Sequence, residues 1–237
     1  KVLEESSRVI EETGNNIVEG LVTRSKEIAS LVRGIAILTE SLPNEESAYL
    51  KTFPPLFDFN GDKRVAGGGI WPEPHWFEKD VERRSFFWGR NKNGLFEYFD
   101  DYNNPAGKGY HNEEWYVVVR HAGPGRCFWS KSYMDPYSFQ PMVTCTVGTF
   151  DGGKFTGAVT VDLKLEGIEA TLEEWQKKTG GYIALVDRNG KFIAFPEAGG
   201  KAKNISKDSN GKKLESFMTV DEFAEKEPLF KPINDAV

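Results

Sequence analysis

The residues with most chemistry to offer lie between Glu113 and Asp162. Trp115-Tyr116 are followed by Trp129-Ser130, Tyr133 and Asp135-Pro136-Tyr137. A strand-like run from Met142 to Val147 then carries Thr144 and Thr146, and Gly157-Ala158-Val159-Thr160-Val161-Asp162 closes the block. Rings, hydroxyls and one terminal carboxylate thus recur over consecutive strand-like segments. A sheet lining a small-molecule pocket has this make-up, with apolar walls and a few fixed polar groups. A sheet that only fills a core favours Val, Ile and Leu. Trp129, Tyr133 and Tyr137 offer π faces suited to a cationic or planar ligand. Ser130, Thr144 and Thr146 offer hydroxyls. Asp162 sits in an apolar strand, where a carboxylate is costly unless paired, so it either anchors the sheet or faces a pocket. Plain core packing claims one or two of the rings.

Catalysis finds little support. His75, His111 and His121 form neither HExxH nor another two-histidine spacing on one helix face. His111-Asn112-Glu113-Glu114 reads as a solvated loop rather than a metal site. No nucleophile elbow, P-loop or dinucleotide fingerprint follows a strand. Gly67-Gly68-Gly69 lacks the Lys-Ser/Thr that phosphate binding needs, and Pro105 breaks the calcium-loop start at Asp101-Tyr102-Asn103-Asn104. No cofactor, no metal and no catalytic residue is expected. The 237 residues are 13% aromatic and 28% charged, with net charge -6. That is a folded chain able to bury a sizeable core, and no basic stripe invites nucleic acid. No apolar run reaches the length of a membrane span.

The elements that must hold this block begin with one long helix over residues 1–42. Apolar residues recur seven apart at Leu3, Ile10, Ile17, Leu31 and Leu38, with a second row at Leu21, Ile28, Ile35 and Leu42. The later part alternates steps of three and four, as a coiled-coil seam does. Forty residues of helix span roughly 60 Å, longer than one small domain is wide. Such a helix is expected to serve as a spine and to pair with a copy of itself. With residue 1 already inside the helical pattern and no Met before it, the sequence reads as a piece of a longer protein.

Asp-x-Asn-Gly occurs twice, at Asp58–Gly61 and Asp187–Gly190. Asn-Gly supplies the positive φ angles of a tight hairpin. The expected hairpins are Leu56–Phe59 with Arg64–Trp71, and Tyr182–Asp187 with Lys191–Pro196. The repeat suggests two modules of similar topology. Pro74–Asn91 reads as partly helical, through Phe77, Val81 and Trp88. Trp115-Tyr116 are expected just before a strand at Val117-Val118-Val119. Strands are expected at Cys127–Tyr133, Met142–Phe150 and Lys154–Leu165, and a helix at Gly167–Thr179. Past Pro196 no further strands are visible before a weak helix from Thr219, so the second module reads as incomplete or degenerate. Cys127 and Cys145 would face each other across a hairpin centred on Asp135-Pro136-Tyr137. Both a disulfide and two buried thiols remain open.

The long helix, the repeated Asp-x-Asn-Gly, Trp115-Tyr116, Trp129-Ser-x-x-Tyr133-x-Asp135-Pro136-Tyr137 and the Gly157–Asp162 strand together resemble double Cache (dCache) sensor domains of bacterial transmembrane receptors. The resemblance covers nearly the whole chain. It implies an α+β fold: a long N-terminal helix alongside two stacked PAS-like modules with antiparallel sheets. Residues 1–43 would be the spine, 44–166 the membrane-distal ligand-binding module and 167–237 a partial membrane-proximal one. It also implies a non-catalytic domain in the periplasmic or extracellular part of an inner-membrane protein, anchored by flanking helices outside this chain.

A sensor histidine kinase is the expected whole, with a chemoreceptor or diguanylate cyclase as alternatives. From another class, a soluble ligand-capture protein or a carbohydrate-active enzyme using Glu113 and Asp162 competes. Amino-acid-binding members of the family carry Arg-x-Trp-Tyr, a later Tyr and an Asp. Trp115-Tyr116, Tyr133 and Asp162 match these, but Glu113 stands where the Arg would be. A carboxylate cannot clamp a ligand carboxylate as a guanidinium does. The expected ligand is therefore cationic or rich in hydrogen-bond donors. The candidate binding residues are Glu113, Trp115, Tyr116, Trp129, Ser130, Tyr133, Asp135, Tyr137, Thr144 and Asp162, with a homodimer through residues 1–42.

Overall fold

The computed structural model describes the chain apart from residues 1, 92, 136–140, 166–167, 181–182, 188, 196–201, 208–210, 212 and 236–237. It divides into two compact units, residues 21–130 with 135–164, and residues 1–20 with 131–134 and 165–237. Helix α1 (Val2–Ser41) contributes to both. As the heptad reading expects, it is unbroken until just before Pro43.

The larger unit continues with α2 (Glu46–Thr52) and α3 (Pro54–Asp58), then β1 (Val65–Pro72), β2 (Phe86–Arg90) and β3 (Phe96–Phe99). After a loop come α4 (Glu114–Val117) and β4 (Phe128–Trp129). The two-residue β5 (Tyr133–Met134) groups with the smaller unit. Long strands β6 (Pro141–Asp151) and β7 (Lys154–Lys164) complete the sheet. The strand order in this unit is β3-β2-β1-β7-β6-β4, all pairs antiparallel. The α+β class and the antiparallel PAS-like sheet are as expected. Asp151-Gly152-Gly153 turns β6 into β7, with φ of 55° and 85° at the two glycines, angles that a side chain resists.

Alternate residues of each strand face opposite ways. One face meets the helices: Ile28, Val32 and Ile35 of α1 and Phe53 and Phe57 pack with Ile70, Cys145, Val147, Val159 and Val161. The late heptad positions of α1 therefore bury themselves within this unit. Gly68 faces Phe57 so closely that an added Cβ would stand 2.4 Å from its ring.

Three expectations fail here. Leu56–Phe59 is not a strand: Pro54 and Pro55 open a helical turn, a place where proline is at home, and Phe57 buries its ring from it. The motif then reverses the chain with φ of 48°, 57° and 75° at Phe59, Asn60 and Gly61. Asp58 accepts from buried Arg90 Nη2 at 2.6 Å. Pro74–Asn91 holds no helix; Phe77 joins the helix-side core from a loop, and Trp88 lies in β2. Trp115-Tyr116 lie on helix α4, which runs into a 3-10 turn at Val118–His121. Burial of Tyr116 and Val119, three apart, outweighs the strand preference of three valines.

Cys127 and Cys145 are joined in a disulfide with Cα atoms 5.9 Å apart, within the usual range. The pairing is diagonal: Cys145 lies opposite Trp129, two residues from the expected register.

The smaller unit includes α5 (Ile168–Thr179), the hairpin β8 (Leu185–Val186) and β9 (Phe192–Ala194), and β10 (Lys203–Lys207) paired antiparallel with β11 (Lys213–Phe217). It ends in α6 (Val220–Lys226) and α7 (Lys231–Asn234). At its Asp-x-Asn-Gly, Asp187 Oδ1 accepts from the backbone N–H groups of Asn189 and Lys191 at 2.8 and 3.1 Å, and the motif makes the expected hairpin. Strands β10 and β11 were not expected. Lys203-Asn204-Ile205-Ser206-Lys207 is largely exposed and carries little apolar alternation to announce a strand. Thr219 and Glu222 form a reciprocal capping box at the start of α6. Phe192, Phe195, Met218 and Phe223 make the core of this unit.

Candidate functional site

The face of the larger sheet turned away from the helices is built differently. Register places Gly89, Gly67, Asp162 and Thr144 in one row across β2, β1, β7 and β6. Ser130 extends it: its N–H donates to the Thr144 carbonyl at 2.9 Å, and its Oγ accepts from the Thr144 N–H at 3.0 Å. A second row holds Phe87, Gly69, Thr160, Thr146 and Phe128. Residues directly opposite across antiparallel strands share a face. Even-numbered positions of β6 and β7 thus bring three threonines and an aspartate together, while glycines keep the neighbouring floor low.

These groups are buried. Thr146 is 0% exposed, Thr144 and Thr160 2%, Asp162 and Ser130 8%. Thr144 Oγ1 donates to Asp162 Oδ1 at 2.7 Å. Thr160 Oγ1 accepts from the Trp71 indole N–H at 2.8 Å. Among the described residues, buried Thr146 Oγ1 has no hydrogen-bond partner. An unmatched buried hydroxyl costs about 1–3 kcal/mol, which sets Thr146 apart from its paired neighbours Thr144 and Thr160.

Aromatic rings roof the other end of this face. Trp71 packs against Trp115 at 4.9 Å, Tyr102 at 5.0 Å and Tyr110 at 5.2 Å between centroids. Tyr116, fully buried, donates its hydroxyl to Glu73 Oε1 at 2.7 Å. Arg120 donates to the same oxygen through Nε and Nη2 at 3.1 and 2.9 Å. Burial, and then the Glu73 bond, push the Tyr116 phenol far above its ordinary pKa, so it stays a donor. Tyr110 Oη and a ring nitrogen of His111 both lie on the Pro72 carbonyl, at 2.7 and 3.2 Å. That nitrogen must carry a proton. Burial holds the His111 pKa below its ordinary value, so the ring is neutral at physiological pH.

The ten expected residues do not form one constellation. Asp162, Thr144 and Ser130 stand together in the first row, and Trp115 and Tyr116 belong to the roof on the same side. Trp129, opposite Cys145, packs instead against the helix-side core. Glu113 is exposed just ahead of α4, where its carbonyl accepts from the backbone of Tyr116 and Val117. Tyr133 lies in β5 of the smaller unit and Asp135 is half-buried at the border of the larger one. Tyr137 lies outside the described residues. Sequence reasoning missed Thr160, Trp71, Tyr110, Glu73 and Arg120. Thr160 shares its parity with Asp162 on the same strand, a signal that was available; the other four depend on contacts between distant segments.

Residues 58–170 match the family model described as "Methyl-accepting chemotaxis protein-like, first PDC sensor domain". That segment is similar to PDC-type sensor domains. It takes in the whole run from β1 to β7 and both polar rows. Over 94 residues the chain is 31% identical to the methyl-accepting chemotaxis protein McpC of Bacillus subtilis, a match spanning 40% of this chain and 14% of that protein.

Among solved structures, the extracellular domain of mmHK1S-Z2, described as a histidine kinase, superposes with TM-score 0.66 at 17% identity. That match covers 92% of each chain. "Methyl-accepting Chemotaxis protein X" gives 0.64 at 15%, covering 78% of this chain and 72% of that one. The ligand-binding domain of the Campylobacter jejuni chemoreceptor Tlp3 with L-valine gives 0.56 at 16%, covering 82% and 71%. At such identities these structures speak for the fold alone. The family whose model matches is one of sensor domains, and the non-catalytic reading agrees with it. Among the described residues no helix is long and apolar enough to cross a membrane, and no cluster of three potential metal ligands occurs.

Proposed function

We propose that this chain is the extracytoplasmic ligand-sensing part of a membrane-anchored bacterial chemoreceptor, and that the ligand binds over the Asp162-Thr144-Ser130 row. The observation that carries this is the buried hydroxyl of Thr146 beside that row, without a partner among the described residues. The sequence-level matches, a chemotaxis family model and a chemotaxis protein, favour this output. A sensor histidine kinase is the second reading, favoured by the 92% mutual coverage with mmHK1S-Z2. Residues 1–43 act as spine, 44–166 as the membrane-distal binding module and 167–237 as the membrane-proximal one. Two copies pair through residues 1–42, where Val9, Ile10 and Val18 are exposed. Ligand binding shifts the population between two arrangements of the distal module, and α1 passes the change towards flanking membrane helices.

The ligand is a small amine-bearing molecule. Asp162 is the acid of the rows, and the nearby Arg120 is already neutralised by Glu73. A bare carboxylate ligand would find no matching guanidinium there. The Tlp3 domain, whose structure contains L-valine, makes amino acids the first compounds to try. Calorimetry with amino acids, simple amines, purines and organic acids tests this. Amine-bearing compounds should bind, and Asp162→Asn should weaken them about tenfold or more, as loss of a charge-assisted bond does. Tight binding of an amine-free carboxylate, unaffected by Asp162→Asn, would overturn the assignment.

A further inference from the structure

Trp129 was left over by the polar face, and its surroundings on the other side of the sheet have a chemistry of their own. A groove of about 320 Å³ lies between α1 and the β4 edge. That size is at the lower end for small-molecule sites. Its apolar lining comes from Leu21, Val22 and Ala29 of α1 and from Trp129 of β4. Lys26 and Arg33, seven residues apart on one side of α1, complete it.

The charges are what make this groove unusual. The chain carries net charge -6, and other arginines of α1 are matched: Arg8 with Glu12, and Arg24 with Asp62 and Glu27. Lys26 makes no ion pair among the described residues. Arg33 donates Nε–H to the Gly125 carbonyl at 2.6 Å, which orients the guanidinium without neutralising it. The wall is also held in place. Cys127 lines the groove and is tied by its disulfide to Cys145, directly opposite Trp129. A two-residue edge strand has few hydrogen bonds of its own, so this cross-link fixes where the indole sits.

We infer that this groove is a second ligand site, separate from the polar face, for a small aromatic or aliphatic monocarboxylate. The carboxylate meets the Lys26 ammonium, with Arg33 as a further donor, in a charge-assisted hydrogen bond. The apolar body lies between the α1 wall and the indole. Because the site borders α1 itself, its occupant touches the spine directly, whatever the polar face binds. The inference does not depend on the function proposed above.

The test titrates the protein with benzoate, indole-3-carboxylate and hexanoate, and with benzamide as the uncharged control, by calorimetry at low and high salt. At least one carboxylate should bind saturably and more weakly at high salt, with benzamide weaker by about tenfold. Lys26→Glu and Trp129→Ala should each lower affinity by about tenfold, while Asp162→Asn leaves it unchanged. Lys26 is exposed, so its replacement should not move the melting temperature, and that control accompanies each titration. Equal binding of benzoate and benzamide would overturn the proposal, as would indifference to Lys26→Glu or loss of binding in Asp162→Asn. So would a dimer, seen by sedimentation, that Val22→Glu splits while none of the carboxylates binds, since a second copy would then occupy the groove.

Discussion

The two faces of the larger sheet are cut from alternate residues of the same strands, yet they meet different needs. On β7, Val159 and Val161 face the helices, while Thr160 and Asp162 face away. On β6, Cys145 and Val147 oppose Thr144 and Thr146 in the same way. The helix side is apolar and interlocked by rings, as with Phe57 stacked on Trp88 at 5.5 Å. The other side is equally buried but holds hydroxyls and a carboxylate, one of them unmatched. Equal burial with opposite polarity separates a surface that holds the fold from the one proposed to hold a ligand.

The helix side should show the largest effects, all of them on stability. Phe57→Ala removes a fully buried ring stacked on Trp88 and seated over Gly68, and should cost about 3–5 kcal/mol in urea unfolding. Where the variant is still folded, ligand affinity should stay within about threefold of the parent, less than one ordinary hydrogen bond contributes. A large affinity loss with a small stability loss would show that the two faces do not divide the work as described.

Next in size is the disulfide, whose Cys145 belongs to the helix side. Its cysteines are 18 residues apart, and closing such a loop stabilises by about 3 kcal/mol in the chain-entropy account. The Cys127→Ala/Cys145→Ala double variant should lose about that much. It should also speed hydrogen exchange at the Thr144 amide, which donates to Ser130 just past β4. Unchanged exchange there would mean that β4 is held by its other contacts and that the two faces are mechanically independent.

Much of this contrast was visible in the residues. Parity alone separates Thr144, Thr146, Thr160 and Asp162 from the valines between them, and the heptad of α1 announces its buried stripe. The same parity places Trp129 opposite Ser130 in direction, yet the ring looked like part of one pocket, because aromatic content carries no sense of side. The two Asp-x-Asn-Gly motifs show a further limit. Their local chemistry is the same, but Pro54-Pro55 ahead of one and a strand ahead of the other lead to a helix end and a hairpin. The roof was illegible for another reason. Tyr116 meets Glu73 and Trp71 meets Thr160 across 43 and 89 residues, and no local pattern records such pairings.

The smallest and most discriminating effect belongs to Thr146. Valine has nearly the same shape, so Thr146→Val removes the hydroxyl and little else. If that hydroxyl awaits a ligand, the ligand-free protein should be unchanged or more stable by up to about 1 kcal/mol, because an unmatched buried group has been taken away. Ligand affinity should fall about three- to tenfold, the worth of one ordinary hydrogen bond. The opposite pair of results, a loss of about 1–3 kcal/mol of stability with affinity intact, would mean that an ordered water already satisfies the oxygen. The polar face would then be a second kind of core rather than a binding surface. Thermal melts and calorimetry on one variant therefore separate the two accounts, because the first lowers affinity without loss of stability and the second lowers stability without loss of affinity.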